Sequence, residues 1–213
     1  MITRVHALAL ALALPAGLFL APALARADVI VTNTIETATG TDPTYIVTAA
    51  QSFTTGTQSE NLSGVTVVLD GEFGDSSVAF SLSSNSGGLP GTQLLVFDPL
   101  TPIFGSGFDD YTLSSGGSLT LAPDTTYWLV ATYLGVDPVW GYTDSSAFSG
   151  SGSLGSWTNA TGLILPNWAL PASEKPYLME IDGSPVSAPE PATLALFGLG
   201  LVGVGLSRRR LTR

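Results

Sequence analysis

The chain has 213 residues with 24 Gly, 14 Pro and no Cys, and its 17 carboxylates outweigh seven Lys and Arg for a net charge of −10. Without cysteine there is no disulfide, thiolate zinc site, iron–sulfur cluster or cysteine nucleophile. Between Asp28 and Val186 sixteen carboxylates face a single cation, Lys175, and a net −15 of this kind repels phosphate backbones and excludes nucleic-acid binding as the main role.

The N-terminal segment, residues 1–27, reads as a secretory signal peptide. Arg4 opens a short basic region, Ala7–Leu14 is an unbroken Ala/Leu run, and Pro15 and Gly17 interrupt it before Leu18–Leu20. Ala25-Arg26-Ala27 places small residues at the two positions that a signal peptidase reads, so cleavage is expected after Ala27. The one histidine, His6, leaves with that segment. A Ser-His-Asp triad or a histidine-ligated metal is therefore excluded from the processed chain.

Residues 28–186 form the expected ectodomain. They show no helical period, only short alternating or β-branched runs divided by Gly, Asn, Asp, Ser and Pro. Leu62–Asp70 sets Val65, Val67 and Leu69 on one face, and Ser76–Ser83 does the same with Val78, Phe80 and Leu82. Thr92–Phe97 and Thr126–Leu134 are apolar on both faces and are expected inside a sheet. Ala38–Gly40, Leu89-Pro90-Gly91-Thr92-Gln93 and Ser149–Gly155 read as loops, and Asp109-Asp110 as a solvated one. The fold class expected is all-β, an antiparallel β-sandwich of jelly-roll-like form.

Chemistry has few places to reside in this body. Asp70, Glu72 and Asp75, spaced by Gly71 and Gly74, offer oxygen ligands in a flexible loop, which either holds calcium or is a charged turn joining two strands. The loop lacks the EF-hand order. No two carboxylates stand out as a glycosidase pair, and one lysine with no histidine leaves a thin acid/base repertoire. The expectation is a non-catalytic protein without a cofactor. Trp128 sits in the most apolar run and is expected in the core, Trp140 follows Asp137-Pro138 near a strand start, and Trp157 and Trp168 lie among Ser, Gly, Asn and Pro. Loop indoles of this kind either stack on sugar rings or plug the ends of a sandwich. The first alternative makes the domain a carbohydrate-binding module, and a polysaccharide-directed hydrolase is a third reading.

Residues 187–213 carry the most specific signal. Ser187-Ala188 leads into Pro189-Glu190-Pro191, then Ala192–Leu206 without a charge, then Ser207 and Arg208-Arg209-Arg210. A helix over 192–206 at ~1.5 Å per residue spans about 22 Å, short of the ~30 Å hydrocarbon core. The arginines snorkel and stay on the cytoplasmic side, so the segment suits a transient membrane anchor with the body outside. This order of motif, hydrophobic helix and Arg cluster resembles the PEP-CTERM sorting signal of Gram-negative bacteria. The resemblance implies processing by an exosortase after signal peptidase. It also implies a producer of exopolysaccharide, and a destination in the outer envelope, cell surface or biofilm matrix. In the body, Gln51-Ser52-Phe53-Thr54-Thr55-Gly56, Val78–Leu82 running into Asn85–Gly91, and Leu121–Asp124 before Thr126–Val130 resemble the choice-anchored ectodomains of type R. That family contributes no catalytic residues.

Overall fold

The structure is a computed structural model that describes residues 27–41, 48–70, 77–100, 107–114, 117–133, 140–160, 168, 175–186 and 198–200. In chain order the strands are β1 (Asp28–Thr32), β2 (Gly40–Thr41), β3 (Thr48–Thr54), β4 (Glu60–Asp70), β5 (Val78–Ser86) and β6 (Leu89–Val96). They continue with β7 (Phe108–Thr112), β8 (Thr120–Leu121), β9 (Thr126–Tyr133), β10 (Gly141–Tyr142), β11 (Ser153–Ala160) and β12 (Met179–Pro185). One five-stranded sheet runs β1-β12-β4-β7 with β8 also on β4, and a second runs β11-β3-β9-β5-β6. Every ladder in both sheets is antiparallel. The class is all-β, as the short alternating runs indicate.

The two sheets share one buried cluster, which makes the arrangement sandwich-like. Ile30, Val65, Val67, Leu69 and Ile181 of the first sheet meet Phe53, Phe80, Leu82 and Leu129 of the second. Alternation produces this directly. Every second residue of β4 and β5 points to the same face, and removing each such side chain from water contributes roughly 1.5–3 kcal/mol.

Strand β9 is apolar on both faces because it is the middle strand of its sheet and both faces are covered. Tyr127, Leu129, Ala131 and Tyr133 join the main cluster, while Trp128 and Val130 form a second one with Ala50 on the outer face. The cross-strand neighbours of Trp128 are Ser52 and Ser83, small enough for an indole to spread over the sheet. Its Nε1–H donates to Asn85 Oδ1 at 3.0 Å.

Three expectations are corrected by the pairing. Thr92–Phe97 is not interior: most of it belongs to the edge strand β6, where Leu94 is 41% and Val96 56% exposed. The register skips Leu94, which turns it outward, and only Leu95 and Phe97 keep contact with the core. The segment Leu89–Gln93 is likewise strand rather than loop, entered through a two-residue turn whose Gly87 and Gly88 have φ of 63° and 85°. A hairpin turn with both central residues left-handed strongly favours glycine there. Asp109 and Asp110 are solvated as expected, but they lie in the edge strand β7 opposite Leu69 and Val68. Charged side chains on an edge discourage pairing with another chain.

The Ser/Gly-rich stretch 149–155 is also not a free loop. Ser149 exchanges backbone bonds with Thr32 at 2.8 and 2.9 Å, and Gly152 donates to the Ile30 carbonyl at 2.7 Å. The chain thus runs along the open edge of β1 and then enters β11 at the edge of the other sheet, closing one side of the sandwich. A Cβ at residue 152 would press into the Thr54 carbonyl oxygen, so this glycine reflects close backbone approach rather than flexibility.

Two leucines test the register. Leu82→Ala should destabilise by about 2–5 kcal/mol, and Leu94→Ala by less than about 0.5 kcal/mol. Urea unfolding of both variants measures the difference, and equal losses would mean that β6 is not the exposed edge.

Candidate functional site

The three tryptophans that either stack on sugars or plug the sandwich are placed unequally. Trp140 is fully buried and bridges to Leu69, and its Nε1–H donates to the Leu178 carbonyl at 2.9 Å. Trp157 lies within β11, opposite Gln51, and is 9% exposed. Between them stands Tyr177, stacked on Trp140 at 4.5 Å and edge-on to Trp157 at 5.7 Å, with Phe80 edge-on to Trp140 at 5.2 Å. Trp140 and Trp157 therefore belong to an aromatic column in the core and offer no open face to a sugar ring. Trp168 differs: it is half-buried against Ala50, Trp128 and Val130 on the outer face of the second sheet.

The column is held by two buried amides that sequence reading did not single out. Gln51, on the inner face of β3, donates from Nε2 to the carbonyls of Gly155 and Ser52 at 2.9 and 3.0 Å. The Ser156 carbonyl lies at 3.3 Å from the same nitrogen and also accepts from the Ser52 hydroxyl at 2.8 Å. Gly155 and Ser156 are the bulged residues of β11, skipped by the register between Leu154 and Trp157. A bulge leaves ladder groups unpaired and re-aims the side chains beyond it. Here Gln51 and Ser52 satisfy the freed carbonyls, and Trp157 turns into the core. The other end of the same amide, Oε1, accepts from the Tyr177 N–H at 3.2 Å.

Asn33 completes the clamp from the first sheet. Its Nδ2 donates to the Tyr177 carbonyl at 3.0 Å, and its Oδ1 accepts from the Met179 N–H at 2.9 Å. The one available signal for Gln51 was its phase: with Ala49 and Phe53 it falls on the buried face of an alternating run.

The acidic residues do not assemble into a centre among the described residues. Asp70 ends β4 and is 7% exposed, while Glu72 and Asp75 lie outside the described residues. No group of three or more His, Cys, Asp or Glu suited to a metal occurs among the described residues. Burial, and then the neighbouring Glu180 carboxylate, push Asp182 above the usual carboxylate range. Lys175, the sole Lys or Arg of the described residues, pairs with Asp144 at 3.3 Å on the surface and lies 4.7 Å from the Tyr142 ring centroid. A cavity of about 330 Å³ opens where the edge of β4 passes from β8 to β7, and it is lined by Leu62–Val65, Phe97, Leu113, Ser114 and Gly117. None of these side chains titrates, so the cavity holds no acid/base pair.

The body is thus an all-β domain, and the C-terminal tail is what relates it to known proteins. Residues 187–210 match the PEP-CTERM protein-sorting motif. The tail is a sorting signal, which makes the chain an exported, membrane-associated sorting precursor processed by an exosortase. Pro189, Glu190, Pro191, Arg208, Arg209 and Arg210 lie outside the described residues, as does most of the helix expected over 192–206. Residues 198–200 are described and are helical and exposed. Among the described residues no helix is long and apolar enough to cross a membrane. No curated protein and no solved structure matches the chain.

Two outcomes follow from the buried groups. Gln51→Ala strands the buried Tyr177 N–H and removes the donor to the Gly155 carbonyl, and should cost about 1–3 kcal/mol in chemical unfolding, the cost of one orphaned buried group. Asp182 holds its proton more tightly when folded, so its contribution to stability falls as pH rises from about 4 through its raised value. Asp182→Asn should therefore melt above the parent at pH 7, and the gain should shrink toward pH 4.

Proposed function

We propose that this chain is a non-catalytic surface or matrix protein of an exopolysaccharide-producing bacterium. It is exported through a signal peptide cut after Ala27 and delivered to the outer envelope by exosortase processing at Pro189-Glu190-Pro191. The observation that carries this is the match of residues 187–210 to the sorting motif. It is supported by the expected domain order, 1–27 leader, 28–186 β-rich body, 187–213 tail. A segment of marginal length with a basic end suits a precursor held in the inner membrane only until its tail is removed. The acidic body fits a role outside the cell, where a net −15 keeps copies apart and soluble.

A second reading, carbohydrate binding, rests on Trp168 alone, now that Trp140 and Trp157 are placed in the core. An indole lying on a sheet face with part of its surface in solvent is the arrangement on which a pyranose ring stacks. Calcium at Asp70, Glu72 and Asp75 would serve an acidic polymer by bridging it to this acidic body.

Intact-mass measurement of the envelope fraction tests the first reading. In a host with the sorting enzyme, the mature form should begin at Asp28 and lack Ala192–Arg213. Replacing Pro189-Glu190-Pro191 by alanines should leave a longer form in the inner membrane. An envelope form still carrying Arg208–Arg210 would show that the tail is a permanent anchor. For the second reading, Trp168→Ala should weaken retention in the matrix with a melting temperature close to that of the parent.

A further inference from the structure

Glu60 is the most anomalous charged residue among the described ones. It opens β4 opposite Leu121 of β8 and Pro185 of β12, and it is only 5% exposed. Its Oε2 is buried without a hydrogen-bond partner. That oxygen lies over the Cα of Gly183, in the space a Cβ would occupy, beside the Ile30 side chain. The Ser151 hydroxyl serves the carboxyl group, and the charge that acts on it is another anion, the Asp28 carboxylate. Burial, and then Asp28, push Glu60 above the usual carboxylate range. A buried carboxylate without a cation is costly, and the sole Lys or Arg of the described residues, Lys175, is engaged with Asp144.

The register identifies where a cation would come from. Asp28 is the first residue of β1 and stands opposite Gly183, the residue on which Glu60 Oε2 rests. Asp28 is also the residue that follows Ala25-Arg26-Ala27, the expected peptidase site. Before cleavage its nitrogen is a neutral amide. Hydrolysis of the Ala27–Asp28 bond leaves a carboxylate on the departing leader and an α-amine on Asp28, which is mostly protonated at neutral pH. A positive charge then appears at the end of β1, next to two carboxylates that have none.

We propose that the α-ammonium group created on Asp28 is the ionic partner of the buried Glu60 carboxylate, so that removal of the leader completes the fold of the body. The proposal rests on the processing site assigned above. It makes the leader a check on folding: the uncut chain keeps an unpaired carboxylate under its first strand, and the cut chain does not.

Three measurements on the exported protein test this. Intact mass first establishes a start at Asp28. The rate of α-amine acetylation against pH then gives the amine's pKa, expected about one unit above the ordinary 7.7–8.0, so that the reaction at pH 7 is about tenfold slower. Glu60→Gln should return it to the ordinary range, whereas Asp28→Asn should leave most of the shift. Finally, Glu60→Gln should lower the melting temperature of the processed protein but raise that of a chain kept uncut by Ala27→Leu, both in the same detergent. An ordinary amine pKa in a chain proven to start at Asp28, or a Glu60→Gln effect of the same sign in both forms, overturns the ion pair and leaves the processing site intact. A mature chain that starts elsewhere overturns both.

Discussion

A primary amide buried between two β-sheets must satisfy its donors and its acceptor or cost more than its packing returns. Gln51 does so by tying the bulge of β11 and its own strand β3 to the Tyr177 backbone leading into β12. The aromatic column depends on this one side chain. Without the bulge Trp157 would not be turned inward, and without the Tyr177 contact the ring between Trp140 and Trp157 would lack its backbone support. Asn33 repeats the device from the other sheet, so the segment before β12 is gripped from both sides.

This explains why the tryptophans were hard to place from the chain alone. Trp157 has Gly, Ser and Asn around it, a composition that signals loops. Those small residues serve another purpose: Gly150 and Gly152 pass close to the backbone of β1 and β3, and Gly155 lies against Ser52. Composition reports small side chains without distinguishing a mobile turn from a tightly packed crossing. The decisive partner of Gln51 is 126 residues away, and no local pattern encodes such a contact.

Other parts were legible because their physics is local. Alternation in β4 and β5 showed the buried faces, and the double apolar character of β9 marked a strand covered on both sides. The same criterion misplaced β6, because a short apolar run does not reveal whether a strand has neighbours on one side or two. The sorting tail was the most readable element, since motif, apolar run and arginines are defined by their order along the chain rather than by folding. The catalytic question has the opposite character: it depends on which carboxylates face each other, and that is set by folding rather than by order along the chain.

The position of β12 has a mechanical consequence. The sorting motif begins at residue 187, directly after this strand, and Val186 is held to the Ser59 carbonyl at 3.0 Å. A pull transmitted through the tail therefore enters an interior strand, flanked by β1 on one side and β4 on the other. Because the ladder bonds lie across the strand axis, such a force loads them together, as shear, instead of opening them one at a time as it would at a hairpin. Any load applied at this end of the body is therefore shared by two ladders from the start.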